Sequence, residues 1–113
     1  MAFLYMLECE GNTLYTGIAK DFERRLRDHC EKGPKCAKYT RSHPPRRVAA
    51  LWEVADLNDA AKGEYAVKRL RPEKKRRLAA DPEKLVVFCP ALAGIPFTAA
   101  ARLPELPQCG EEE

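Results

Sequence analysis

The stretch FLYMLECEGNTLYTGI, residues 3–18, holds two short apolar segments on either side of a glycine–asparagine pair. The segment at 3–9 is short, aromatic and without helix caps, and it predicts a buried β-strand. Gly11 and Asn12 both tolerate positive φ, which indicates a tight hairpin turn. The chain is therefore expected to open with an antiparallel hairpin whose second strand covers 14–18.

The hairpin carries two tyrosines, and the turn decides how they face each other. A two-residue turn at the glycine–asparagine pair would place Tyr5 opposite Ile18 and Tyr15 opposite Glu8. The two rings would then be diagonal neighbours. Each tyrosine alone fits a packed core aromatic with its hydroxyl at the rim better than it fits a catalytic phenol.

The rest of the chain predicts three helices and one more strand. Helix caps and prolines delimit the helices, and a basic loop broken by prolines covers 32–47. The predicted layout is β-β-α-β-α-α, an α+β fold with a small three-stranded antiparallel sheet flanked by helices. The expected elements are a helix at 21–31 capped by Asp21, a strand at 48–54, a helix from Asn58 or Asp59 to Arg71, and a short helix from Pro72 to Arg77 or Ala80.

The composition changes after Asp81, because five of the nine prolines lie between 82 and 113. We divide the chain into a domain at 1–80 and a Pro-rich C-terminal extension at 81–113 that is partly irregular. Residues 85–89 are a candidate edge strand within that extension.

Composition restricts the possible classes of protein. In 113 residues no stretch approaches the roughly 20 apolar residues of a membrane span. The N-terminus lacks the basic region and long apolar core of a signal peptide. Five cysteines without a CxxC pair indicate reduced thiols. We therefore expect a cytoplasmic protein that does not enter the membrane and acts as a monomer.

The net charge of +3 is unevenly distributed along the chain. Residues 20–77 hold 18 Lys and Arg against 9 Asp and Glu, whereas both ends are acidic. A basic middle indicates a surface for a polyanion such as nucleic acid, or simply a solvated basic face.

Several polar residues recur in a recognisable order. FLY at 3–5, YTG at 15–17, RRLRDH at 24–29, KYTR at 38–41 and a helical run from Glu64 to Leu70 resemble the GIY-YIG nuclease family. They resemble most its small, stand-alone bacterial members. Phe3 stands where the family name has glycine, and Thr16 stands where it has isoleucine.

The resemblance implies a metal-dependent endonuclease that hydrolyses phosphodiester bonds in DNA, in DNA repair or processing. It implies one divalent ion, Mg²⁺ or Mn²⁺, held by Glu64. It implies catalytic roles for Tyr5, Tyr15, Arg25 and His29. Mg²⁺ prefers oxygen ligands, and an arginine binds phosphate oxygens in a bidentate manner, so the residue types suit this chemistry. Either tyrosine remains a candidate for activating water.

The expected substrate-binding residues lie at the second tyrosine triplet and in the basic loop. Gly17 would allow a close approach because it has no Cβ. The basic side chains would track phosphates, or they are a solvated face. They are Lys38, Arg41, Arg46 and Arg47 of the loop, together with those of the short basic helix that begins at Pro72. Since 113 residues leave little room for a targeting domain, a separate targeting protein is a possible partner.

Two other functions remain open at this point. One is a non-catalytic nucleic-acid-binding module on the same scaffold. The other is a zinc site built from the thiols and imidazoles at 29, 30, 36 and 43. The adjacent positions 29 and 30 point about 100° apart on a helix, which makes joint ligation of one ion awkward.

Overall fold

The predicted hairpin lies within a four-stranded antiparallel sheet in the computed structural model, which describes residues 1–31 and 38–107 except the side chains of Lys38 and Arg41. The strands are β1 (Ala2–Cys9), β2 (Thr13–Ala19), β3 (Pro45–Val54) and β4 (Thr98–Ala99). Their order across the sheet is β2-β1-β3-β4, so β1 is central and β2 forms an edge.

The α+β fold is confirmed, but the number of strands is four instead of three. The additional strand β4 is only two residues long and pairs with Trp52 and Glu53 of β3. The candidate edge strand at 85–89 is wrong, because Leu85–Phe88 forms a short helix. Within this helix Leu85 is buried, whereas Val87 is 71% exposed.

Five helices accompany the sheet within residues 1–31 and 38–107. They are α1 (Phe22–Glu31), α2 (Lys38–Ser42), α3 (Leu57–Lys68), α4 (Pro72–Ala80) and α5 (Leu85–Phe88). Single 3₁₀ turns at Pro82–Lys84 and Pro90–Leu92 flank α5. None of the helices in the described ranges is long and apolar enough to cross a membrane.

The N-cap predicted for α1 is confirmed, whereas the N-cap of α3 lies two to three residues before the predicted position. The Asp21 carboxylate accepts from the backbone N–H of Arg24 at 3.1 Å, as predicted for the start of α1. The cap of α3 is Asp56, which accepts from the N–H of Asp59 at 2.9 Å. Asn58 and Asp59 therefore lie in the first turn of α3, where the negative charge of a carboxylate interacts favourably with the helix dipole.

The register of the hairpin differs from the prediction by one residue. Three residues, Glu10–Asn12, form the turn, and both Gly11 and Asn12 have positive φ, at 81° and 61°. This extra residue pairs Tyr5 with Gly17 and Leu7 with Tyr15. Because side chains alternate along a strand, both tyrosines lie on one face of the sheet.

The two faces of the sheet have separate cores. The face with Leu4 and Met6 packs against α3, α4 and the chain after residue 81, whose buried side chains include Leu85 and Leu92. The opposite face carries Tyr5, and α1 covers it with Phe22 and Leu26. The second face positions the candidate site described below.

Candidate active site

Tyr5 lies flat across the neighbouring strand at Gly17. A Cβ atom at position 17 would lie 2.6 Å from the Tyr5 hydroxyl oxygen and 3.0 Å from a ring carbon of Tyr15. No real Cβ tolerates the shorter of these distances, so the glycine makes room for the phenol. The close approach expected at Gly17 is thus an approach of Tyr5, and a contact of Gly17 with substrate stays a prediction.

His29 is fully buried beneath the two tyrosines and is hydrogen-bonded through both ring nitrogens. Its Nε2 lies 2.7 Å from the Tyr5 hydroxyl, and its Nδ1 lies 2.7 Å from the Thr40 hydroxyl. An imidazole bound in this way has no nitrogen left for a metal. The proposed zinc site therefore loses one of its ligands, and the residue at 36 lies outside the described part of the chain.

Arg25 connects the two tyrosines at the mouth of this site. Its guanidinium group interacts with the hydroxyls of Tyr5 and Tyr15 and forms an ion pair with Asp28 at 3.7 Å. Partial burial disfavours the charged form, but the two phenols outweigh it and raise the Arg25 pKa. The guanidinium therefore stays charged, with 29% of its side chain open to solvent.

Burial shifts the pKa values of Tyr5 and His29 in opposite directions, and both shifts favour the neutral form of the side chain. Burial, followed by the proximity of Tyr15, raises the pKa of Tyr5 although Arg25 opposes the shift, so this phenol stays protonated. Burial, followed by the charge of Arg25, lowers the pKa of His29 to about 4 although Asp28 opposes it. His29 is therefore neutral at pH 7, and only one of its nitrogens carries a proton.

Tyr15 is half-buried and belongs to a row of stacked rings. Its ring lies 5.9 Å from that of Tyr39 at an angle of 21°, and Tyr39 lies 4.5 Å from His43 at 12°. This row docks α2 onto the sheet beside the site. Tyr39 and Thr40 belong to the KYTR motif. Their contacts with Tyr15 and His29 could not be predicted from residue spacing, because the contacting residues lie far apart in the sequence.

Glu64 reaches the site from α3, which packs against β1 and β2. Its carboxylate lies 3.2 Å from the Lys68 ammonium, and 26% of the side chain is exposed. The same ammonium lies 6.0 Å from the centre of the Tyr15 ring. The helix comes this close because Gly63 has no Cβ, which would lie 2.8 Å from both Leu4 and Phe97.

The donor set determines whether a divalent ion fits here. The described residues contain no group of three or more His, Cys, Asp or Glu side chains close enough to enclose a metal. Mg²⁺ and Mn²⁺, however, are commonly held by one or two carboxylates together with waters and substrate phosphate. The partly exposed Glu64 carboxylate suits an ion that is held jointly with a bound phosphate.

A cationic cleft leads away from the site along the edge strand. Next to Tyr15 it has a volume of about 380 Å³ and is bordered by Lys68 and Lys75. An adjoining pocket of about 330 Å³ continues past Lys75 to Arg76 and the hairpin turn, where Arg76 binds the carbonyl of Asn12. Among the residues that the structure describes, all charged side chains that line these two spaces are basic.

The predicted phosphate-tracking residues are spread over a wider area. Arg46 and Arg47 belong to β3 instead of a loop, and Arg47 forms an ion pair with Glu8 at 2.6 Å, three positions along β1 from Tyr5. Lys38 lies on α2, as does Arg41, and both side chains lie outside the described part. Lys75 belongs to the short basic helix that was also expected to track phosphates, and it borders the cleft. Lys68 has no predicted role in the sequence.

Comparison with known proteins agrees with this arrangement. Residues 1–77 match the model of the GIY-YIG catalytic domain. A UPF0213 protein of Desulfotalea psychrophila is 40% identical over 82 residues, which cover 73% of this chain and 74% of the relative. A UPF0213 protein of Cupriavidus necator is 42% identical over 79 residues, covering 70% and 84%.

A UPF0213 protein of Xanthomonas axonopodis pv. citri aligns over 93 residues at 39% identity, covering 81% of this chain and 89% of the relative. No solved structure matches the chain significantly. The family model covers more than half of the chain and spans every residue of the buried site described above. The chain belongs to the GIY-YIG family.

Proposed function

We propose that this protein is a metal-dependent endonuclease that hydrolyses phosphodiester bonds in DNA. The observation that supports the proposal best is the meeting of Arg25 with both tyrosine hydroxyls at the end of a basic cleft. Hydrolysis of a phosphodiester requires an oriented water and positive charge near the phosphate in the transition state. The described side chains provide groups for both tasks.

Arg25 and Lys68 would bind the scissile phosphate from two sides. The guanidinium is charged, partly exposed and held by the tyrosines, which suits bidentate contact with non-bridging oxygens. Since the phosphate gains negative charge in the transition state, a guanidinium placed in advance stabilises that state more than the bound substrate.

Tyr15 would orient the attacking water. It borders the cleft and is half-buried, whereas Tyr5 is 1% exposed and hydrogen-bonded to His29. Two cations, Arg25 and Lys68, lie beside the Tyr15 phenol and stabilise negative charge that develops on its oxygen. Tyr5 then does not contact the water; it is a neutral phenol that positions the Arg25 guanidinium.

Glu64 would hold one Mg²⁺ or Mn²⁺ ion together with a phosphate of the substrate. When bound, such an ion stabilises charge on the phosphate and on the leaving 3′ oxygen. Lys68, which now pairs with the Glu64 carboxylate at 3.2 Å, is free to turn toward the phosphate once that carboxylate binds the ion.

The test is Mg²⁺-dependent cleavage of labelled duplex, nicked, flapped and single-stranded DNA. Arg25→Ala is expected to lower turnover by about 10²–10³-fold, by analogy with the loss of one oxyanion donor. Glu64→Gln keeps the shape of the side chain and should abolish cleavage while DNA binding persists. Equal cleavage by all three identically purified proteins would reveal a contaminant or a wrong site. Salt-sensitive binding without any cleavage would favour the non-catalytic binding module.

A further inference from the structure

Two short hydrogen bonds between buried side chains form a chain that leads from Tyr5 to His29 and on to Thr40. The Tyr5 hydroxyl lies 2.7 Å from His29 Nε2, and His29 Nδ1 lies 2.7 Å from Thr40 Oγ1. The Arg25 guanidinium interacts with the Tyr5 hydroxyl at the start of this chain. Thr40 and His29 are both 0% exposed, and Tyr5 is 1% exposed. Water therefore does not compete for these bonds.

The donor and acceptor capacities of these groups allow one direction that runs through the whole chain. A guanidinium only donates, so the Tyr5 oxygen accepts from Arg25. Tyr5 has a single proton, and when that proton points to His29, Nε2 is the acceptor. The neutral imidazole then carries its proton on Nδ1, and Nδ1–H donates to the Thr40 hydroxyl oxygen.

We propose that Thr40 is a positioning residue of this site: by accepting from Nδ1–H it holds His29 in the tautomer whose Nε2 accepts from Tyr5, which leaves the Tyr5 oxygen free to accept from Arg25. The proposal rests on the proposed function only in so far as Arg25 binds the substrate phosphate. The tautomer itself is a property of the free protein and is measurable without any substrate.

The placement of Thr40 supports this role. Its neighbour Tyr39 stacks between Tyr15 and His43 and thereby fixes α2 beside the sheet. The next side chain along α2, Thr40, consequently points inward to His29. A tautomer matters only for a neutral imidazole, and the lowered pKa of His29, about 4 through burial and then Arg25, keeps it neutral at pH 7.

The first test is a long-range ¹H–¹⁵N spectrum of the ¹⁵N-labelled wild-type protein at pH 7, which distinguishes the two tautomers of each histidine. His29 is expected to carry its proton on Nδ1. A spectrum in which His29 is protonated on Nε2 would overturn the proposal, because the chain would then run in the opposite direction. His29→Gln assigns the signal, since only His43 then remains.

The second test compares Thr40→Val, which removes the hydroxyl and keeps the shape, with Thr40→Ser, which keeps the hydroxyl. Thr40→Val should shift His29 toward the Nε2–H tautomer and lower kcat by about tenfold or more with little change in KM, the usual size for loss of a residue that orients a ligand. Thr40→Ser should stay within about threefold of the wild type. Thr98→Val, which makes the same substitution at an exposed position of β4, is the control and should change neither readout.

The outcomes separate this proposal from the nuclease proposal. A wild-type protein that cleaves no DNA but shows the Nδ1–H tautomer, lost in Thr40→Val, refutes the nuclease and keeps the positioning role. An unchanged tautomer or unchanged kcat in folded Thr40→Val overturns the positioning role even if the nuclease is real. Should Thr40→Val fail to fold, the wild-type spectrum decides, together with retention of activity in Thr40→Ser.

Discussion

The tightest contact at the candidate site joins Tyr5 to Gly17, and it predicts the effect of one methyl group. In Gly17→Ala the new Cβ would lie 2.6 Å from the Tyr5 hydroxyl oxygen, so the ring and its bond to His29 must move. We expect a loss of about 1–3 kcal/mol in the free energy of unfolding, as for other overpacked cores. Urea denaturation measures it. Gly94→Ala is the control, since nothing lies within 4 Å of its Cβ; equal stability of both variants would contradict the contact.

His29 predicts how stability depends on pH. Burial, and then the charge of Arg25, lowers its pKa to about 4 in the folded protein, whereas the value in the unfolded chain is 6.5. The contribution of neutral His29 to the free energy of unfolding is therefore fully present above pH 6.5, and roughly 3 kcal/mol is lost as the pH approaches 4. The sign follows because the unfolded chain binds the proton first. Urea unfolding between pH 7.5 and 4.5 should show the loss in the wild type and a smaller one in His29→Gln, which retains the carboxylates. An NMR titration of His29 with an ordinary pKa would refute this.

At the scale of elements, α4 has two basic residues that border the cleft and two that are exposed to solvent away from it. Lys75 and Arg76 border the cleft, whereas Lys74 and Arg77 are exposed elsewhere on the same helix. If a nucleic-acid strand occupies the cleft, Lys75→Gln with Arg76→Gln removes two phosphate contacts. The slope of log K against log salt should then fall in magnitude by about 1.4–1.8. Binding is measured with Glu64→Gln to prevent cleavage.

The matched control carries Lys74→Gln and Arg77→Gln, which change the net charge of the same helix by the same amount. This pair should leave the slope near that of the parent, because the two side chains do not line the cleft. An equal loss for both pairs would mean that binding responds to overall charge and that the cleft is not a specific track.

For the molecule as a whole, the chain after residue 81 completes the core on one face of the sheet. Leu85 and Leu92 are buried there, and the carbonyl of Pro82 accepts from the Trp52 indole at 2.8 Å. Burying each leucine contributes about 1.5–3 kcal/mol, a large part of the 5–15 kcal/mol that typically stabilise a domain. A fragment of residues 1–80 should therefore lack cooperative thermal unfolding, while 1–107 unfolds like the full chain. Equal melting of both fragments would contradict this.

Local patterns allowed much of the fold to be predicted. Asp21, Pro72 and the apolar segments act through neighbours in the sequence, and the helices and strands that they indicate form near the expected positions. The fourth strand was not predictable, because Thr98–Ala99 is two residues long and forms only by pairing with β3. Six of the predicted site residues lie together at the candidate site, but Arg47 pairs with Glu8 instead. The six are Tyr5, Tyr15, Gly17, Arg25, His29 and Glu64.

The sequence by itself determined the β-β-α-β-α-α order of the main elements up to Ala80, the basic middle of the chain and the set of polar residues that the GIY-YIG resemblance brings together, since all of these depend on local periodicity and composition. The tertiary structure alone decided the register of the hairpin, which rests on the backbone conformation of a three-residue turn. It also decided that Thr40 holds His29, because a hydrogen bond between two buried side chains on different helices depends on how those helices pack, and no spacing in the sequence encodes that packing.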